Sequence, residues 1–176
     1  MAVMGVSVYA LSVTRYAQEK TNWCWAACGE MVFNYIDSSF SKEDFSSRQQ
    51  RIVSLAGKKP AENSTGSITD IINAGRKLFA SQGQFDNSQG YELTNSSFAT
   101  VTSLLSTEPV MISAYTASQN GGHSLVAYKY SSSLLSMHDP WSGASTIQVS
   151  QSKLITDGFK SPAFSSNIYG KWYLGY

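Results

Sequence analysis

Apolar residues recur at spacings of three and four in the first part of the chain and in short alternating runs in the second, which predicts two differently built halves. Trp25, Cys28, Met31, Val32, Tyr35 and Ile36 draw a stripe down one face of a helix that Asn22 is placed to cap, with Cys24 in its first turn. Ser41 followed by Glu43 and Asp44 predicts a second helix to about Leu55, and Ser67 followed by Asp70 a third to about Phe79. Gly57 to Gly66 reads as the loop between them. Residues 81–95 are polar and Gly-containing and read as a long connector before a short helix around Ser96 to Leu105. From Pro109 onward the runs VMISAYT, HSLVAYKY, LLSMHD, TIQVS and KWYLGY predict strands separated by turns, and Val3 to Tyr16 reads as extended. The pattern predicts an α+β fold in one domain of residues 1–176. A helical half of about 17–106 packs on an antiparallel β-rich half of about 107–176, joined by the extended segment 1–16.

Composition narrows the function. A chain of 176 residues buries roughly 70% of the surface its unfolded form exposes, so it needs no metal or disulfide to hold a core. The net charge is +1 and no basic block exceeds Lys58-Lys59, which argues against a nucleic acid partner. Cys24 and Cys28 are too few and too close for a secreted disulfide framework. With His123 and His138 they match the ligand count of a structural zinc site. However, the cysteines fall within one helix and the histidines within a strand pair, unlike the usual knuckle, and no metal is expected. No glycine-rich phosphate loop is present, and no cofactor is expected. No apolar run approaches the roughly 20 residues of a membrane span. Met1 to Val13 lacks a preceding Lys or Arg and is interrupted by Ser7 and Tyr9, so a Sec signal is not evident, and Ala2 excludes myristoylation. A protein acting outside its cell would have lost its leader or would use a route without one.

The candidate chemistry centres on Cys24. A helix N-terminus offers a positive dipole end and free N–H groups, which favour a thiolate. A thiol nucleophile also needs a base, and His123, following Gly121-Gly122 at the opening of a strand, is placed to be one. Asp139 is the candidate to orient it. If Ser131-Ser132-Ser133 is a three-residue hairpin loop, Tyr130 pairs with Leu134. Asp139 then falls opposite Leu125, on the face of His123. A two-residue loop would bring His138 there instead. Gln18, six positions before Cys24, can supply a side-chain amide to an oxyanion. Cys28, one turn beyond Cys24, reads as core.

Taken together, Gln18, then Cys24-Trp25-Ala26, then Gly122-His123, then Asp139-Pro140-Trp141 resemble the papain-like cysteine peptidases at matching spacings. The stretch QEKTNWCWAACGEMV is similar to small effector-type proteases of plant-pathogenic bacteria, and GGHSLVAYKY…MHDPWSG to the bacteriocin-processing group. The resemblance covers about Ala17 to Asp37 and Pro109 to Gly143. It implies a papain-like fold with Cys24 as nucleophile, His123 as base, Asp139 as its orienting residue and Gln18 in the oxyanion hole. Trp23, Trp25, Gly122 and Trp141 are expected to line or shield the cleft. The implied function is a secreted or delivered cysteine peptidase acting on protein or peptide substrates, with a monomer expected. A cell-wall amidase, a glutamine deamidase using the same triad, or an inactive papain-like binding domain are the competing readings.

Overall fold

The computed structural model describes residues 8–175. Residues 1–7 of the expected extended segment, and Tyr176 at the end of the last expected strand, lie outside the described residues. After β1 (Tyr9–Ala10) come three helices, α1 (Cys24–Ile36), α2 (Arg48–Leu55) and α3 (Ile68–Leu78). They are followed by β2 (Gln89–Glu92) and α4 (Phe98–Leu104). The remaining strands are β3 (Val110–Thr116), β4 (Gly122–Ser131), β5 (Leu134–His138), β6 (Thr146–Val149) and β7 (Ile168–Gly175), with a π-helical turn at Lys153–Asp157. The strands form one antiparallel sheet in the order β2-β7-β3-β4-β5-β6, and β1 pairs with β4.

Three element boundaries differ from expectation, each for a local reason. The residue before α1 is Trp23, whose side chain makes no capping bond. Asn22 instead donates two bonds of 2.9 Å, from its backbone N–H and its side-chain amide, to Asn63, anchoring the loop before the helix. The second helix starts at Arg48, because Ser47 accepts from the Gln50 N–H at 3.2 Å, whereas Glu43 sits at φ 51° outside helical geometry. The connector contains a strand, β2, which reaches the sheet through the register Tyr91↔Tyr173, where the two rings stack at 5.4 Å. By contrast, α3 starts where the Ser67-x-x-Asp70 signature places it, and the Asp70 carboxylate accepts from the Ser67 N–H at 2.8 Å.

The β4–β5 hairpin corrects the expected loop length. Ser131 pairs with Leu134, so the loop is the two residues Ser132-Ser133, both at positive φ as a type I′ turn requires. A bulge between Ala127 and Lys129 then shifts the register by one, and Val126 pairs with His138. Continuing that register sets Asp139 beside Leu125, the placement expected of the longer loop. The bulge therefore cancels the effect of the shorter turn.

Two apolar clusters fix the sheet. One lies between α1, α2 and α3 and the sheet, where Phe33 meets Phe40, Phe79 and Phe85 edge-on at 5.5–6.0 Å and Met111 and Val126 contribute from the strands. The other joins α4 to Ile112, Leu125, Leu135 and Leu154. Gly29 lets α1 approach α3 closely, since a Cβ there would lie 2.6 Å from Ile71 Cδ1.

Candidate active site

A cleft of about 560 Å³ opens where the N-terminus of α1 meets the start of β4. Cys24, partly exposed at the first position of α1, lines one wall, and His123 and Ser124 of β4 line the other. Because no side chain caps α1, the amides of its first turn are left to a ligand at the helix end. His123 is buried, and its Nε2–H donates to Asp139 Oδ1 at 2.7 Å. Nδ1 is then the nitrogen left for the Cys24 sulfur, with which the ring shares a hydrogen bond. Burial alone would favour the neutral ring, but the bonds to Asp139 and Cys24 and their charges outweigh it and raise His123 to about 9. Burial also opposes the thiolate. His123, with further hydrogen bonds from Ser124, still brings Cys24 below the ordinary thiol value.

Asp139 is fully buried, and both of its oxygens are occupied. Oδ1 also accepts from the Trp141 N–H at 2.8 Å, and Oδ2 accepts from Ser161 Oγ at 2.6 Å. The bond and charge of His123, then the Ser161 and Trp141 bonds, overcome the cost of burial and keep the carboxyl below its ordinary value. Sequence reasoning missed Ser161, which lies in a loop between β6 and β7. It also missed Phe164 of the same loop, whose ring stands edge-on to His123 at 5.9 Å. Arg15, equally unanticipated, donates to the carbonyls of Asp139 and Trp141 at 2.7 and 2.8 Å.

The other expected site residues divide. Gly122 and Trp141 line the cleft. Trp23 and Trp25 do not: both are fully buried in the helical core. Trp25 lies beneath Gly66, where a Cβ would fall 2.3 Å from the indole, and its Nε1–H donates to the Ser64 carbonyl at 3.2 Å. The cleft wall above it is the Thr65-Gly66 backbone. Gln18 lies outside the lining, and its amide donates to the carbonyls of Lys20 and Thr21 at 2.9 and 2.7 Å. The glycines before His123 admit two rings, since a Cβ on Gly121 or Gly122 would lie 2.9 Å from Phe164 or Tyr115. Cys28 is fully buried; burial, then the nearby Cys24 and Asp139 charges, push its thiol up, out of nucleophilic range. His138 donates from Nε2 to the Val13 carbonyl at 2.9 Å and stacks on Tyr128. Among the described residues, no group of His, Cys, Asp and Glu is arranged to hold a metal ion.

Residues 10–163 match the sequence model of the Peptidase_C39 like family. Among solved structures, the chain is similar to the peptidase domain of Streptococcus ComA, described as a bifunctional ABC transporter involved in a quorum sensing pathway. The TM-score is 0.57 at 16% identity, over 95% of this chain and 98% of that one. At that identity the likeness speaks for the fold. No curated protein matches.

Proposed function

The chain belongs to the Peptidase_C39 like family and is a cysteine peptidase, and from that premise we propose that Cys24, His123 and Asp139 perform the hydrolysis within a single domain. The observation that carries this reading is the 2.7 Å bond from His123 to the buried Asp139, on the side of the ring away from Cys24, with Cys24 and His123 lining one cleft. The Cys24 thiolate attacks the carbonyl carbon of a scissile amide, and the S–C bond forms as the oxyanion develops against the uncapped amides of α1. Gln18 joins those donors by releasing one of its two loop carbonyls. The His123 imidazolium gives its proton to the departing amine as the C–N bond breaks. A water molecule then loses a proton to His123 and attacks the thioester, releasing the acid and restoring the Cys24 thiolate beside the His123 imidazolium.

The likeness of the Gln18 to Val32 region to effector-type proteases supports a role outside the producing cell. The test is to incubate the chain with an unfolded protein mixture and sequence the new N-termini by mass spectrometry, with Cys24→Ala and His123→Ala alongside. New termini that vanish with Cys24→Ala and fall at least about a hundredfold with His123→Ala are expected. Ammonia release from glutamine, or opening of cell-wall fragments without new termini, would instead identify the deamidase or the amidase.

A further inference from the structure

Apart from Gln18, the segment from Val13 to Glu19 takes no part in the reaction, yet it is bonded to both walls of the cleft. Toward the base it holds the turn that leaves β5. Arg15 spans the Asp139 and Trp141 carbonyls, the Gln18 N–H donates to the Pro140 carbonyl at 2.8 Å, and Val13 accepts from His138. Toward the nucleophile it is held by α2. Gln49, 2% exposed, donates to the Ala17 carbonyl at 2.8 Å and accepts from the Glu19 N–H at 3.0 Å. Its remaining amide hydrogen goes to Glu30 of α1 at 3.0 Å. Ser47 adds a bond of 2.7 Å to the Glu19 carboxylate.

We propose that this segment is a brace between the two walls, and that Arg15 and Gln49 are positioning residues that hold the Asp139 turn, and through it His123, in place against Cys24. The inference rests on the triad reading above. Arg15 suits the task because its planar fork meets two carbonyls two residues apart while leaving the carboxylate to others. Both Asp139 oxygens already have donors, so the guanidinium steadies the turn without drawing the carboxylate from His123. Gln49 suits the other end because every polar atom of its amide is used, and the bond to Glu30 makes α1 itself the anchor. The brace therefore connects the nucleophile's helix to the turn behind the base by a route separate from the sheet.

The test uses the full chain and the variants Arg15→Met, Arg15→Lys and Gln49→Leu. For each, the rate of Cys24 alkylation by iodoacetamide is followed by mass spectrometry from pH 5 to 10, alongside kcat and KM on a cleaved peptide and the urea midpoint. The titratable groups acting on His123 are Cys24 and Asp139. A brace that slackens weakens the hold of Asp139, so His123 supports the thiolate less and the fast-labelling window opens at a higher pH. The kcat falls between about tenfold and a hundredfold with KM nearly unchanged. Arg15→Lys, which keeps the charge but loses the fork, falls between Arg15→Met and the parent. Gln49→Leu, on the opposite wall, moves the window in the same direction. A folded Arg15→Met or Gln49→Leu that unfolds at lower urea but keeps the parental labelling profile and kcat overturns the proposal, as does a folded, wholly parental Arg15→Lys if Arg15→Met does not fold. Slow, ordinary-thiol labelling of Cys24 in the parent chain overturns the triad reading itself, and the brace with it.

Discussion

At the scale of single residues, Ser161 decides how firmly Asp139 is held. Its hydroxyl donates to a carboxylate oxygen in a fully buried setting, so Ser161→Ala leaves that oxygen without its donor. An orphaned buried acceptor costs about 1–3 kcal/mol, and the loss should appear as a lower urea midpoint. Because the Ser161 bond helps keep Asp139 ionised, the carboxyl should rise toward its ordinary value and kcat should fall. Unchanged stability and kcat would mean that the Trp141 N–H and His123 suffice. Ser161 was not legible in the sequence because one serine among many carries no mark of the partner it meets across the fold. Cys24, His123 and Asp139 stood out because spacing and helix position imply chemistry without requiring contacts. Trp23 and Trp25 were misplaced for the converse reason. Their positions give the helix, but not the Thr65-Gly66 segment that lies over Trp25.

At the scale of elements, the β4–β5 turn strains two residues that the fold does not require to be serine. Ser132 and Ser133 both adopt positive φ, at 51° and 62°, which costs a side-chain-bearing residue roughly 1–2 kcal/mol. Asn-Gly is the pair this turn prefers. Ser132→Asn with Ser133→Gly should therefore stabilise the chain by about 1 kcal/mol, raising Tm by about 2–4 °C in calorimetry. Activity should not change, because the turn lies eight residues along β4 from His123, roughly 25 Å away. A lower Tm would show that the serine side chains contribute more than their strain costs. The run of three serines offers two turn lengths to a reader of the sequence. Nothing in it signals the bulge after Ala127, which arises from pairing with β5. The long helices α1 and α3 were legible because apolar periodicity marks both, and the Ser67-x-x-Asp70 signature adds the start of α3. The start of α2 and the strand β2 were not, since Glu43 adopts a conformation no propensity favours and β2 is made by its partner β7.

At the scale of the whole molecule, the two halves matter for activity because each carries one member of an ion pair. The helical half carries Cys24, which His123 and Ser124 of the sheet half lower. The sheet half carries His123, which Asp139 and Cys24 raise to about 9, so the thiolate and imidazolium coexist between those limits. The acid limb of kcat/KM should lie below the ordinary thiol value, where Cys24 takes up its proton. The alkaline limb should fall as pH rises through about 9, where the imidazolium loses the proton that the leaving amine requires. Since the raised value of His123 depends on the Asp139 hydrogen bond and charge, Asp139→Asn removes the charge and should move the alkaline limb toward the ordinary histidine value of 6.5. The acid limb should rise, as a less cationic imidazole stabilises the thiolate less, and the active window should narrow from both sides. A kcat/KM profile from pH 5 to 10 on parent and variant measures both limbs. If Asp139→Asn lowers the plateau but leaves both limbs in place, Asp139 only aims the ring, and the ion pair is maintained by Cys24 and His123 alone.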